Sequence, residues 1–345
     1  MNLVTGGTGL LGSHMVEQLR KRGRPVRVLV RRGAEVSWLK SQGVELAEGD
    51  LGDPASIAKA CRGVQCVYHA AARVGDWGPW ADFVRVTVEG SRNLFDAAQG
   101  CGVPRFIHIS SISVYGHVNQ RGLVVDETAP LGQCLYKWSY YTRAKVMVEN
   151  ELWRRHREGG KVKFTVIRPS WLYGPRDRAT IGRLVAMVRD GRAKLLGDGD
   201  NRLNVVYAGN VAEACILAAD NPAAIGEAYN CSNDGELTQR EYFNLIAESI
   251  GAKSVTKQVP YKVAYRAAFL LECIGHLFRL RKPPLVTRYA VWLMGRHTFF
   301  SAQKARDQLG WKSSVGYREG IPMTIRWYEE AQRSLGGPSV VPSLG

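Results

Sequence analysis

Three glycines, at positions 6, 9 and 12, separate a short apolar run, Asn2–Thr5, from a helix-like segment, Leu11–Arg22. No other feature constrains the fold of this chain as much. Glycine lets a strand turn sharply into a helix and lets backbone approach a ligand closely. The helix N-terminus beyond the turn offers unpaired N–H groups and positive dipole character. Thr5-Gly6-Gly7-Thr8-Gly9-Leu10-Leu11-Gly12 therefore predicts a pyrophosphate site, with Gly6, Thr8, Gly9, Leu10, Leu11 and Gly12 as its contacts.

The alternation continues along the chain. Val26–Val30, Cys66–His69, Phe106–Ser110 and Phe164–Ile167 read as buried strands, with Pro54–Cys61, Phe83–Gln99 and Thr142–Arg157 as helices. Continuous apolar strands joined by helices predict an α/β fold of Rossmann type. Its parallel sheet is doubly wound, with a ligand crevice at the strands' carboxyl ends. After Arg168 the rhythm changes. Ile181–Asp190 reads as a helix, Gly197-Asp198-Gly199-Asp200 as turns, and Val205–Val206 with Asn210–Asp220 as a strand–helix unit that could return to the sheet. From about 226 the pattern is mostly helical, including Val263–Leu280 and Leu285–Leu293 split by Pro283-Pro284, then Ser301–Leu309 and Arg318–Ser334. We expect a dinucleotide-binding domain over 1–170 plus about 203–225. A smaller, mostly helical C-terminal substrate domain is expected over about 171–202 and 226–335, and a disordered tail over 336–345.

The second strand speaks to the choice of dinucleotide. Where NAD-binding chains commonly carry a carboxylate for the ribose 2′-hydroxyl, this chain has Val30 followed by Arg31 and Arg32. Two guanidiniums suit a 2′-phosphate, so NADP(H) is expected to be preferred, with NAD(H) as the alternative. Tyr141 and Lys145 stand four residues apart on one face of a helix. A nearby ammonium favours the phenolate, so the spacing predicts a tyrosine pulled down from about 10 toward neutrality. Such a group can exchange a proton with an alcohol or ketone.

Composition excludes several alternatives. The seven cysteines form no Cys-x-x-Cys pair, and the seven histidines show no metal-ligand spacing, so no metal is expected. The net charge of +16 is dispersed rather than gathered into a basic tail or an RNA-binding signature, and no nucleic-acid partner is expected. No signal peptide precedes the first strand and no stretch of about 18 apolar residues is present, so a cytoplasmic protein is expected. Val263–Leu280 with its basic end Arg279-Leu280-Arg281-Lys282 could still lie on an anionic membrane surface as a peripheral contact.

Taken in order, these motifs resemble the extended short-chain dehydrogenase/reductases of the NAD-dependent epimerase/dehydratase superfamily. Asp50-Leu51 matches the pair that contacts adenine, and His69-Ala70-Ala71-Ala72 the turn beside the cofactor ribose. Ile109-Ser110-Ser111-Ile112-Ser113 matches the serine strand, Tyr141 and Lys145 the catalytic pair, and Arg168-Pro169 the loop near the nicotinamide. One departure is Thr87, in Thr87-Val88-Glu89-Gly90, where the family usually has asparagine. Ala72-Arg73-Val74-Gly75-Asp76-Trp77-Gly78-Pro79-Trp80, Pro283–Arg288 and Phe300-Ser301-x-x-Lys304-Ala305 are similar to the 3β-hydroxysteroid dehydrogenase-like branch. The resemblance implies hydride transfer at nicotinamide, with Tyr141 as acid and base, Lys145 tuning it and holding the ribose, and Ser111 orienting the substrate oxygen. Ser110 is open as an alternative to Ser111. Cofactor contacts are implied from the glycine loop, Arg31, Arg32, Asp50, Leu51, Ala70, Ala71, Ala72, Tyr141, Lys145 and Pro169. The implied substrate is an apolar small molecule, a 3β-hydroxysteroid or sterol or a long-chain 3-keto or 3-hydroxy acid, and the implied assembly a homodimer. Trp77, Trp80, Phe269, Leu270, Phe278 and Trp292 are either substrate contacts or core. The rival readings are a nucleotide-sugar epimerase or dehydratase with tightly held NAD, and a non-catalytic NADP(H)-binding protein.

Overall fold

Seven parallel strands build the central sheet: β1 (Asn2–Thr5), β2 (Val26–Val30), β3 (Glu45–Glu48), β4 (Cys66–His69), β5 (Arg105–Ile109), β6 (Lys163–Pro169) and β7 (Ala228–Cys231). The structure is a computed structural model and describes residues 1–159, 162–178 and 180–334. The expected tail over 336–345 lies outside them. Across the sheet the order is β7-β6-β5-β4-β1-β2-β3. The strand order reverses between β1 and β4, where a doubly wound sheet opens a crevice at its carboxyl edge.

Adjacent residues of each strand serve opposite faces, as the two-residue period requires. Val4, Val28, Tyr68, Ile107 and Ile167 pack with Leu11, Met15, Val16 and Leu19 of the Leu10–Lys21 helix and with Val211, Cys215 and Ile216 of the Ala208–Asp220 helix. Leu3, Leu29, Val67, Phe106 and Val166 face Ile57, Leu94, Phe95, Ala144 and Val148 on the other side. Complete burial of one such side chain stabilises by about 1.5–3 kcal/mol, so the two layers hold the sheet edge rigid beneath any ligand.

Two features of the predicted organisation are corrected. Val205–Tyr207 does not join the large sheet but pairs with Trp171–Tyr173 in a separate two-stranded ladder. Conversely, Ala228–Cys231, on the far side of the expected boundary at 226, is the outermost sheet strand beside β6. The later part of the chain has its own core, built from Tyr173, Leu184, Val185, Leu203, Tyr242, Phe243, Ile246 and Ile321. The segments read as apolar form the helices Tyr261–Leu277 and Arg288–Gly295.

Candidate active site

The parallel register aligns Thr5, Leu29, His69 and His108 across the strands, so the segments that follow them emerge at one edge. The glycine loop, Arg31/Arg32, Asp50-Leu51, Ala70–Ala72, Ser110/Ser111 and Pro169 therefore share the carboxyl edge of the sheet. At Gly6 and Gly12 the loop has no room for a side chain. A Cβ on Gly12 would lie 2.1 Å from the Gly6 carbonyl oxygen, and one on Gly6, where φ is +72°, would lie 2.8 Å from Ala71 N. Gly9 N donates to Gly6 O at 2.9 Å, and Gly9 precedes the Leu10–Lys21 helix without any side-chain cap. No acidic residue occupies that helix's first turn, and Thr8 and Gly9 are exposed. A turn of this tightness facing a helix N-terminus fits a pyrophosphate. Arg31 and Arg32 are exposed at the end of β2, and neither guanidinium has an ion-pair or hydrogen-bond partner among the described residues. Asp50 is turned inward on its own loop, its carboxylate accepting from Gly52 N at 2.8 Å, while Asn93 Nδ2 holds the Leu51 carbonyl at 2.9 Å.

Buried polar groups set the turn after β4. Thr5 Oγ1 lies 2.8 Å from His69 Nδ1 and accepts from Ala71 N at 3.3 Å, and His69 Nε2 lies 2.8 Å from Ser91 Oγ. Burial, reinforced by the charge of Lys145, pushes the His69 imidazole down to about 3, so it is neutral. Thr87 fills the place of the family's asparagine: its hydroxyl accepts from Arg73 N at 3.0 Å and pins the segment leaving Ala72. Thr87 sits in a π-helical turn, Val84–Glu89, between the helical segments Trp80–Phe83 and Gly90–Gly100. Such turns are rare and concentrate at functional sites. This one has no signature in the sequence.

Tyr141 and Lys145 occupy the first turns of the Tyr140–Arg157 helix. Their spacing puts them on one face, but the electrostatics differ from the expectation. The Lys145 ammonium, itself buried, donates to the Ile109 carbonyl at the end of β5 at 2.7 Å. Burial raises the Tyr141 phenol above its usual value, and the facing Ser111 hydroxyl offsets only part of this. The predicted drop toward neutrality is absent, because desolvation outweighs the influences that favour the phenolate. Burial pushes Lys145 down to about 8, against the opposing charge of Glu149, so at neutral pH it remains mainly an ammonium.

The serines separate cleanly. Ser111 faces Tyr141 and caps the short 3-10 turn Ile112–Tyr115, accepting from Ser113 N at 3.1 Å. Ser110 instead donates to Glu149 Oε2 at 2.6 Å, two turns further along the same helix. Glu149 is fully buried and is the centre of a network the sequence reading missed. Arg168 donates to it from Nε at 2.9 Å and also from Nη2, and Trp153 Nε1 donates at 3.2 Å. Arg168 continues through Tyr115, whose hydroxyl donates to Asn230 Oδ1 at 2.8 Å. The signal was present: 141, 145 and 149 repeat the same four-residue step along one helix face.

The loop after β4 (Asp76, Trp77), the segment before the Tyr140–Arg157 helix (Tyr136, Trp138) and the later helices (Arg288, Tyr289) enclose a small cavity of about 10 Å3. The Tyr289 ring meets the Tyr141 ring edge-on at 6.4 Å. Of the apolar candidates, Trp292 is fully buried core, Trp77 is buried against the late helices, Trp80 is half-buried, and Phe269, Leu270 and Phe278 are exposed. A cleft of about 470 Å3 lies elsewhere, between Glu127, Trp153, Arg157, Glu227 and Lys304 at the β6–β7 edge. No cluster able to hold a metal ion occurs among the described residues.

A model of the NAD dependent epimerase/dehydratase family matches residues 2–232. A 2-alkyl-3-oxoalkanoate reductase of Stenotrophomonas maltophilia is 32% identical over 325 residues, covering 92% of this chain and 96% of its own. A sterol-4-alpha-carboxylate 3-dehydrogenase, decarboxylating, of Mus musculus is 28% identical over 338 residues, covering 96% and 91%. Among solved structures, the UDP-glucose 4-epimerase of Thermus thermophilus in complex with NAD matches with a TM-score of 0.73 at 26% identity, over 96% of this chain and 99% of that one. The chain belongs to the NAD dependent epimerase/dehydratase family, among its 3β-hydroxysteroid dehydrogenase-like members, and is an NAD(P)-dependent oxidoreductase.

Proposed function

We propose that this protein interconverts a secondary alcohol and a ketone on an apolar substrate, with NADP(H) preferred and Tyr141 moving the proton. The observation that carries the reading is the placement of Ser111, Tyr141 and Lys145 together at the sheet's carboxyl edge, beside the glycine loop. The loop and the helix N-terminus would hold the pyrophosphate, Arg31 and Arg32 the 2′-phosphate, Asp50 and Leu51 the adenine. Ala70, Ala71, Ala72, Lys145 and Pro169 would line the nicotinamide half. A bound nicotinamide supplies or accepts the hydride. Tyr141, which burial favours as a phenol, gives its proton to the substrate oxygen in reduction and is left as phenolate; in oxidation the phenolate takes the proton from the substrate hydroxyl as the hydride leaves. Ser111 orients that oxygen by donating a hydrogen bond as charge develops. Lys145 holds a positive charge at the floor of the site below about pH 8.

The names of the two sequence relatives share a substrate pattern: a carboxylate on the carbon next to the one whose oxygen reacts. This supports a 3-oxo or 3-hydroxy acid. We propose Arg296, which stands behind the cavity's Tyr289 rather than in its lining, as the carboxylate's partner. It is fully buried, has no acidic partner among the described residues, and leaves Nε and Nη2 without hydrogen bonds. It stacks over Trp292, whose ring neighbours Tyr289. The test is a spectrophotometric screen of NADPH consumption against long-chain 3-oxo acids, their methyl esters, steroids and nucleotide sugars. Stoichiometric consumption with the free acids supports the reading. Conversion of a nucleotide sugar with no net redox change would replace it by the epimerase alternative.

A further inference from the structure

Of the twelve large hydrophobic side chains exposed among the described residues, eight lie between 263 and 285. Val263, Leu270, Ile274 and Leu277 repeat at helical spacing along the outer face of the Tyr261–Leu277 helix, while Ala268, Glu272 and Gly275 form its packed face. This inverts an ordinary surface helix, whose outer face is polar. The packed face is fixed in place. Gly275 lies against the Trp77 indole, the Trp77 Nε1 donates to Leu280 O at 2.8 Å, and Glu272 is paired with Arg288 at 2.7 Å. The outer stripe is therefore not a misplaced core. It runs on into Phe278, Leu280 and Leu285, the last being 97% exposed.

The charges around the stripe have one sign. Lys262, Arg266, Arg279, Arg281 and Lys282 are exposed, and none has an ion-pair partner among the described residues. The one acidic residue between 261 and 287 is Glu272, which is buried and neutralised by Arg288. An apolar stripe with an unpaired basic border matches the interface of an anionic bilayer, where alkyl and aromatic side chains enter the acyl boundary and ammonium and guanidinium groups stay among the headgroups. No helix among the described residues is long and apolar enough to cross a membrane, so the match is to lying on the surface.

We propose that the outer face of the Tyr261–Leu277 helix, with residues 278–285, docks on an anionic phospholipid surface. The docked helix also adjoins the wall of the small cavity: Phe269 stacks with Trp138, and Arg288, which lines the cavity, lies over both rings. An apolar substrate would then pass from lipid toward the site, a step that rests on the function proposed above, whereas docking does not.

The test is sedimentation of the full chain with phosphatidylcholine vesicles, with and without phosphatidylglycerol, at low and high salt. The expected result is binding to the anionic vesicles, weakened about tenfold or more by high salt or neutral lipid. L285D and L277D should weaken it similarly, and an R281E/K282E variant should remove the preference for anionic lipid. Leu285 is almost fully exposed, so L285D cannot act by unfolding, and NADPH binding and thermal melting of each variant confirm an intact fold. Absence of binding to anionic vesicles overturns the proposal. So does binding indifferent to L285D and R281E/K282E alike, or a lipid-free dimer that L277D converts to monomer, which would assign the stripe to a second copy of the chain.

Discussion

Replacing Glu149 by glutamine tests how the interior supports the site. The two side chains have nearly the same shape, so no cavity forms, but the negative charge is lost. Arg168, almost fully buried, then loses its ion-pair partner and keeps its contacts with Tyr115 and one amide oxygen. Breaking a buried pair from one side costs about 3–5 kcal/mol, a large part of the roughly 5–15 kcal/mol that holds a domain folded. Denaturant melts of the cofactor-free protein should show a loss in that range. The second effect falls on Lys145. Burial has pushed its value down to about 8 and Glu149 opposes that shift, so the variant's value should lie lower. The ammonium is penalised in the folded state, so its cost is present below the folded value and is relieved as pH rises from there toward the unfolded value. In E149Q this relief should begin at lower pH, and the alkaline decline of kcat should move in the same direction. A melt within about 1 kcal/mol of the parent, together with an unshifted pH profile, would refute the reasoning.

The other predictions concern the cofactor. Gly12→Ala puts a Cβ 2.1 Å from the Gly6 oxygen, backbone against backbone, so the loop must shift by roughly 1 Å and NADPH affinity should fall about 100-fold. Gly9→Ala meets its nearest neighbour, the Gly6 carbonyl oxygen, at 3.2 Å and needs a shift of only a few tenths of an ångström, so its loss of affinity in fluorescence titration should be smaller than that of Gly12→Ala. Removing Arg31 and Arg32 together should weaken NADPH by ~10–100-fold through lost charge-assisted hydrogen bonds while leaving NADH unchanged. Equal losses for both nucleotides would count against a 2′-phosphate site.

Much of this architecture is legible in the sequence because glycine and strand signals are local. The loop at 6–12 shows itself through missing side chains, and strands buried on both faces are written as apolar runs. The strands missed were the two at the sheet's edges. Glu45–Glu48 carries two exposed carboxylates, as edge strands often do, and has no fully buried residue. Ala228–Cys231 is completely buried but reads Ala-Tyr-Asn-Cys, with Asn230 serving the Arg168–Tyr115 network rather than an apolar pattern. Within the site, spacing identified the face shared by Tyr141 and Lys145 but not the outcome of their electrostatics. That depended on the Ile109 carbonyl, which holds the ammonium, and on burial of the phenol, both products of tertiary packing. Glu149 was hidden for the same reason: its partners Ser110 and Arg168 come from different strands and meet only once the sheet has formed.

The central claim is that the Tyr141 phenol carries the proton. Tyr141→Phe removes one oxygen and leaves the ring packed against Tyr289. Measured side by side for the variant and its parent, NADPH affinity should be unchanged while kcat for the identified ketone falls by about 10²–10⁴-fold. A Tyr141→Phe protein that binds NADPH normally and turns over at the parent's rate would contradict the account.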